Sequence, residues 1–101
     1  MSMYDEHIER IIEDMEAWLY ENFPTVVPEK IDTSKYLTLE YPSDELAVGH
    51  LKFMLSEMKG MDYQEDSDSR EKLMRWLGFA QGALWARGYQ SIDGFREMNT
   101  E

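Results

Sequence analysis

The chain has no cysteine, only three prolines and two histidines, and no apolar run approaching the length of a membrane span. Without cysteine there can be no disulfide framework and no thiol nucleophile, and the fold is compatible with a reducing cytosol. A transmembrane helix needs about 20 consecutive apolar residues. Met1 to Asp14 is charged and amphipathic, whereas a secretory signal is basic and then apolar. We therefore expect a cytoplasmic protein with no membrane partner.

Positive charge is also scarce. Ten lysines and arginines stand against 21 acidic residues, which gives a net charge of −11. Proteins that bind nucleic acids directly need clustered positive charge, so the composition argues against that class and favours a basic partner. The charge is uneven: the first 23 residues carry seven acids against Arg10, whereas Arg70 to Arg96 carries five basic residues against Glu71 and Asp93.

Apolar side chains are plentiful enough for one core. They make up 43% of the 101 residues and include three tryptophans and eight methionines. A chain of this length forms one domain and buries roughly 65% of the surface that its unfolded form exposes. The composition therefore predicts a single helical domain over residues 1–101, which needs neither a metal nor a cofactor to fold.

Three segments have apolar residues at the three- and four-residue spacing of amphipathic helices. Ser43 is suited to begin the second helix and Gly60 to end it. Asp68 and Glu71 have the spacing of a capping box for the third helix, and Gly88 is suited to follow its end. The predicted helices run from about Tyr4 to Asn22, Ser43 to Gly60 and Ser69 to Arg87, with a short C-terminal helix from Ile92 to about Met98.

An extended connector is predicted at about residues 25–42. Prolines punctuate this segment, and Thr25 to Val27 and Tyr36 to Tyr41 favour extended backbone, so a short strand or hairpin is one form it can take. The predicted fold class is thus mainly α: a compact bundle of three main helices and a short fourth, with this connector after the first. We expect the third helix, the most apolar, to be central.

One stripe of the third helix consists of very small residues. Gly78, Gly82 and Ala86 follow one another at intervals of four, so they share a face that another helix can approach closely. The simpler interpretation is tight packing against the first or second helix, and the alternative is self-association as a homodimer. Gln81, among these small residues, is expected to be a buried polar group that needs a partner.

Acidic side chains form a dense strip on the first helix and recur in the loop before the third. A rigid array of carboxylates can imitate the phosphate backbone for a protein that binds DNA or RNA. The simpler interpretation is a solvated face that keeps the protein soluble. Arg75 and Arg87 are candidates for ion pairs with the acids of the first helix. The candidate partner-binding residues are Glu6, Glu9, Glu13, Asp14 and Glu16 on the helix and Asp62, Glu65, Asp66 and Asp68 in the loop.

Four other acid positions suggest an enzyme as an alternative. Glu13-x-x-Glu16 and Glu29-x-x-Asp32 resemble the two acidic pairs with which all-α nucleotide pyrophosphohydrolases hold magnesium. The second pair, however, lies in the proline-broken connector, where that family needs a helix. His50 could act as a base or a ligand, but a lone helical histidine is more often a packed or surface residue. No catalytic residue or metal ligand is assigned, and we expect a protein that is not an enzyme.

Part of the chain, from residue 50 to residue 96, resembles small helical accessory proteins of tailed bacteriophages, which are largely uncharacterised. The resemblance rests on His50-Leu51-Lys52-Phe53-Met54-Leu55, on Lys72-x-x-Arg75-Trp76-Leu77-Gly78-Phe79-x-Gln81-Gly82-x-Leu84-Trp85-x-x-Gly88, and on Ser91-Ile92-Asp93. It implies a protein made in an infected bacterium and supplies no catalytic residues.

Charge and resemblance together predict an accessory binding protein that acts stoichiometrically. Its acidic surface would inhibit or redirect a basic host protein, such as a nucleic-acid-binding or defence protein. The alternatives are a structural or assembly protein that associates through the Gly78 and Gly82 helix, and a magnesium-dependent nucleotide pyrophosphohydrolase.

Overall fold

The computed structural model describes residues 3–31, 43–62 and 65–89, with side chains from residue 6 onward. Within these ranges the chain forms three α-helices and no strand. The helices are α1 (Met3–Asn22), α2 (Asp44–Lys59) and α3 (Ser67–Ala86). The mainly α bundle expected from the sequence is confirmed. The predicted fourth helix and residues 32–42 of the connector lie outside the described residues.

The ends of α2 follow the sequence signals. The backbone N–H of Leu46 donates to Ser43 Oγ at 3.2 Å, so Ser43 satisfies one of the free amides of the first turn. Gly60 caps the other end. Beyond α3, Gly88 has a φ of 75°, a left-handed conformation that glycine adopts without strain, as its predicted place after the helix requires.

The start of α3 differs from the prediction. The carboxylate of Asp66 accepts the backbone N–H of Asp68 at 3.0 Å and the hydroxyl of Ser69 at 2.8 Å, so the helix begins at Ser67. The expected capping box of Asp68 and Glu71 is therefore wrong. Asp66, which precedes Asp68 in the chain, is the capping residue. Asp68 and Glu71 both lie within the helix.

The helices run up, down and up. The Lys59 side chain at the end of α2 bonds to Glu16, while Lys52, earlier in α2, lies over the ring of Tyr20, so α1 and α2 are antiparallel. Asp44 at the start of α2 pairs with Arg87 just after α3, so α2 and α3 are antiparallel as well. None of the helices in the described ranges has the length and apolarity to cross a membrane.

The central element is α2, not α3 as the sequence suggested. Eight of the 16 residues of α2 are buried, against four of the 20 in α3, and α2 packs against both other helices. The expectation for α3 was wrong because part of its apolar content faces outward, including Phe79 and Trp85. The core is formed by Ile8, Ile11, Ile12, Met15 and Leu19 of α1, by Val48, Leu51, Met54, Leu55 and Met58 of α2, and by Leu73, Leu77, Ala80 and Leu84 of α3.

The chain leaving α1 is held against α2 as an irregular strap, which we define as residues 23–31. The backbone N–H of Glu29 donates to the carbonyl of Gly49 at 2.9 Å. A Cβ atom at residue 49 would lie 3.1 Å from the carbonyl oxygen of Val27. Glycine at position 49 therefore lets the strap lie directly on the helix.

Lys52 anchors the beginning of the strap from inside the protein. Its side chain is 0% exposed. Nζ donates to the carbonyl oxygens of Phe23 at 2.5 Å and Val26 at 2.6 Å, and lies 4.0 Å from the centroid of the Tyr20 ring. Burial lowers the pKa of Lys52, because removal from water disfavours the ammonium. Two carbonyl dipoles and an aromatic face offset that cost.

Replacing Lys52 with methionine should destabilise the fold. Methionine fills a similar volume but leaves the carbonyls of Phe23 and Val26 without their ammonium donor. We expect Lys52→Met to lower the free energy of unfolding by about 1 to 3 kcal/mol in urea denaturation. Lys59→Met, which removes the Glu16 pair at a lysine whose side chain is 50% exposed, is the matched control. It should cost at most about 1 kcal/mol. A Lys52→Met protein as stable as the control would contradict this assignment.

Candidate functional site

The acids predicted to form one strip on α1 lie on two sides of the helix. Successive residues turn by about 100° around a helix axis, so Asp14 lies well round from Glu13. The remaining four acids follow at intervals of three, four and three and share the side of α1 that faces the end of α2, where Glu16 meets Lys59. We call these four residues the acidic flank: Glu6, Glu9, Glu13 and Glu16.

A small cavity opens in the acidic flank. It has a volume of about 240 Å³ and is lined by Glu9, Ile12, Glu13, Met58 and Lys59. Lys59 Nζ bonds to Glu16 Oε1 at 2.8 Å, and this hydrogen bond raises the pKa of Lys59. One carboxylate of the flank is thus paired within the molecule. Two others, Glu6 and Glu13, are exposed to solvent.

The acidic loop before α3 lies at the end of the bundle where α2 ends. Asp62 and Glu65 of the loop and Asp68 in the first turn of α3 are exposed, as an interaction surface requires. Asp66 has a structural part: the Ser69 hydroxyl and the Asp68 amide donate to its carboxylate and lower its pKa. The loop and the acidic flank therefore adjoin the same end of α2, with Asp66 engaged in holding α3.

The two acidic pairs that resemble a magnesium site are not brought together. Glu16 bonds to Lys59, and the backbone of Glu29 bonds to Gly49, earlier in α2. Gly49 and Lys59 are ten residues apart, or about 15 Å along a helix. Asp32 lies outside the described residues. Among the residues that are described, no three histidine, aspartate or glutamate side chains converge as metal ligands.

The small-residue stripe of α3 faces outward. Gly78, Gly82 and Ala86 are exposed, and a Cβ atom built at either glycine would meet nothing within 4 Å. The expected tight packing of this stripe against α1 or α2 is therefore wrong, because Leu73, Leu77, Ala80 and Leu84 form the inward face. Gln81, at the edge of the stripe, is partly buried.

Large apolar side chains stand on both sides of this stripe. Phe79 is 58% exposed and Trp85 is 54% exposed. Gly78 and Gly82 lie between them and have no side chains. The backbone in the middle of the outward face of α3 is therefore accessible, with an aromatic ring on either side. Such an exposed apolar patch is typical of an interaction site.

The basic residues of α3 pair differently from the prediction. Arg75 Nη1 lies 3.6 Å from Glu71 one turn earlier in α3. Arg87 Nη1 lies 2.5 Å from Asp44 Oδ1, and the Arg87 side chain is only 6% exposed. The hydroxyl of Tyr89 and the Arg87 guanidinium lower the pKa of Asp44. The Arg87 pair joins the end of α3 to the start of α2, and the Arg75 pair lies within α3, whereas pairs with α1 were expected.

His50 was weighed as a base or ligand, but the structure shows a backbone role. Its Nδ1 accepts the backbone N–H of Ile31 at 3.1 Å, which holds the end of the strap. Its ring stacks on Phe53, with centroids 6.0 Å apart and an interplanar angle of 9°. Burial lowers the pKa of His50, and the charge of Lys30 lowers it further. The hydrogen bond accepted by Nδ1 and the lowered pKa both favour the neutral ring.

The sequence contains one signal for the strap, in the position of Lys52 on α2. Lys52 lies four residues after Val48 and three before Leu55, so a charged residue occupies a position on the apolar stripe of α2. A lysine at such a position requires buried acceptors. Nothing in the sequence identified these as the carbonyls of Phe23 and Val26.

No protein-family model, curated protein or solved structure matches this chain.

The role of His50 predicts a pH dependence of stability. A histidine whose pKa is lower in the folded state than in the unfolded chain binds its proton more readily when unfolded, so acid favours unfolding. We expect the free energy of unfolding to fall as the pH drops below about 6.5, the ordinary pKa of histidine. The loss should continue down to the lowered pKa of the folded state.

The variant His50→Asn isolates this effect. Asparagine can place Oδ1 near the position of Nδ1 and accept from Ile31, but it does not titrate. In urea denaturation between pH 5 and 8, the free energy of unfolding should fall less at acid pH in His50→Asn than in the wild type. All other groups titrate in both proteins. Identical pH profiles would contradict a histidine held in its neutral form.

Proposed function

We propose that the protein acts stoichiometrically, by binding a basic partner protein through the acidic flank and the exposed acids of the adjoining loop. The observation that carries the proposal is the alignment of four carboxylates along one side of α1. A helix holds such charges in a rigid row, which resembles a nucleic-acid backbone more closely than scattered surface acids do. The net charge of −11 adds attraction at longer range.

The setting follows from the resemblance to accessory proteins of tailed bacteriophages. The partner class is a host protein in the cytoplasm of an infected bacterium, one that itself binds nucleic acid or acts in defence. A protein that recognises phosphates presents lysine and arginine side chains, and these are the groups that the acidic flank would engage. Occupation of that surface would inhibit or redirect the partner without any chemical step.

The role of the acidic flank can be tested by making the same change in net charge on two different sides of α1. Glu6→Gln combined with Glu13→Gln removes two exposed flank carboxylates and leaves the Glu16 to Lys59 pair intact. Asp14→Asn combined with Glu21→Gln removes two exposed carboxylates from another side of α1 and gives the same net charge. The first pair should weaken binding about tenfold and the second much less, since exposed charge pairs are each worth up to about 1 kcal/mol.

The measurement begins with capture of partners from bacterial lysate at low and high salt, because a complex held by charge dissociates as screening rises. The captured protein is then purified and titrated calorimetrically against the wild type and both double variants. Equal loss of affinity in the two variants would show that total charge matters and the flank does not. Salt-independent capture would contradict the electrostatic basis.

A second candidate function is self-association through the outward face of α3, as in a structural or assembly protein. The observation that favours it is the open surface at Gly78 and Gly82 between the exposed rings of Phe79 and Trp85. Glycines let two helix backbones approach closely, and the flanking aromatic rings would supply the apolar area that such a contact buries.

Gly82→Leu separates this contact from the fold. Because the site is open, the monomer should tolerate leucine and gain roughly 0.5 to 1 kcal/mol in stability from its better helix propensity. The dimer should be lost, as measured by light scattering over a range of protein concentrations. Ala17→Leu, at an exposed position of α1, is the control and should leave association unchanged. A wild-type protein that scatters as a monomer at every concentration would exclude this candidate.

A further inference from the structure

A groove runs between α2 and α3 and is bordered by the end of the strap. Two adjoining cavities form it, with volumes of about 210 Å³ and 360 Å³, and His50 and Phe79 line both. Leu51 and Ala83 contribute to the first cavity, and Phe53 and Trp76 to the second. Small-molecule sites are typically concave, mostly apolar and of this combined size.

The charge of the groove is opposite to that of the rest of the chain. The chain carries 21 acidic residues, yet no acidic side chain of the described part lines either cavity. Lys30 lines the second cavity with a positive charge, whereas the guanidinium of Arg87, which lines the first, is paired with Asp44. An anion that approaches this protein is repelled by most of its surface and meets positive charge here.

His50 adds a directed hydrogen-bond donor. Its Nδ1 already accepts the N–H of Ile31, so the proton of the neutral ring is on Nε2. Burial lowers the pKa of His50, which favours this neutral form of the ring. The groove therefore combines the Lys30 ammonium, one donor of fixed tautomer, and aromatic walls that include the parallel His50 and Phe53 rings and the exposed ring of Phe79. The Lys72 ammonium lies 4.9 Å from the centroid of the Trp76 ring.

We propose that this groove binds a small molecule with a planar aromatic body and a single carboxylate. The body lies against Phe79 and Trp76, and the carboxylate lies between Lys30 and His50 Nε2. The apolar walls bury the body, and the two polar groups orient it and select the anion. This site is distinct from the acidic flank. The groove is lined by α2, α3 and the strap, whereas the cavity at Lys59 is lined by α1 and α2.

A pair of matched probes tests the role of the charge. 2-Naphthoate has the proposed character, and 2-naphthamide has the same shape without the charge. Proton–nitrogen NMR titrations of the full chain should show shifts at the amides of Ile31, His50 and Phe79 with both compounds. Naphthoate should bind about fivefold more tightly, as one partly exposed ion pair and hydrogen bond provide.

Variants then assign the anion contact to residues. Lys30→Gln should lower the affinity for naphthoate about fivefold and leave that for naphthamide unchanged. Arg75→Gln changes the net charge equally from the outward face of α3 and should alter neither affinity. His50→Asn retains an acceptor for Ile31 but lacks a donor at the position of Nε2, so it should also reduce the preference for the acid. If His50→Asn fails to fold, the Lys30 and Arg75 pair carries the test.

Several results would overturn the proposal. One is the absence of shifts at amides of the groove at probe concentrations up to about 5 mM, because a weaker affinity would not indicate a specific site. Equal affinity for acid and amide, or an equal effect of Lys30→Gln and Arg75→Gln, would remove the anion site. Shifts confined to other faces would show that the aromatic body is bound elsewhere.

Discussion

The ammonium group of Lys52, buried between α1 and α2, constrains the path of the chain after the first helix. An ammonium group cannot remain in a protein interior without acceptors, and those it finds are two backbone carbonyls of the strap and the face of an aromatic ring. The first residues after α1 are therefore bound to the middle of the central helix. An apolar side chain at this position would favour burial but would not specify which backbone atoms lie against it.

The other strap contacts depend on that anchor. Once the carbonyls of Phe23 and Val26 are placed, the chain continues past Gly49 and reaches His50, so three neighbouring positions of α2 bind successive parts of one segment. This arrangement brings Lys30 and Ile31 to the edge of the groove between α2 and α3. The same contacts also fix the tautomer of His50. A structural interaction at one end of the strap thus determines the polar groups available at the other.

The sequence predicted the helices well because apolar spacing and capping residues act locally. The ranges of α1 and α2 and the roles of Ser43, Gly60 and Gly88 all depend on residues within a turn or two of one another. The start of α3 was misplaced by two residues because Asp66 and Asp68 are both good caps, and local pattern does not rank them. The burial of α3 was overestimated because composition does not show which apolar residues face outward.

The candidate sites were harder to predict for the same reason. The row of acids on α1 could be read from spacing alone, but the pairing of Glu16 with Lys59 needs two helices to be placed. The roles of His50 and Lys52 depend on partners in the strap, which the spacing of residues within α2 does not show. Sequence spacing describes one helix at a time, whereas each of these contacts joins segments at least 19 residues apart.

The exposed glycines of α3 have a consequence for motion within the bundle. Each glycine in an exposed helix interior costs about 0.8 to 1.0 kcal/mol relative to alanine, and neither Gly78 nor Gly82 recovers that cost through neighbouring packing. The middle of α3 therefore has less local stability than its buried leucines suggest. Its backbone amides should exchange with solvent through brief local openings, while those of α2 await unfolding of the whole domain.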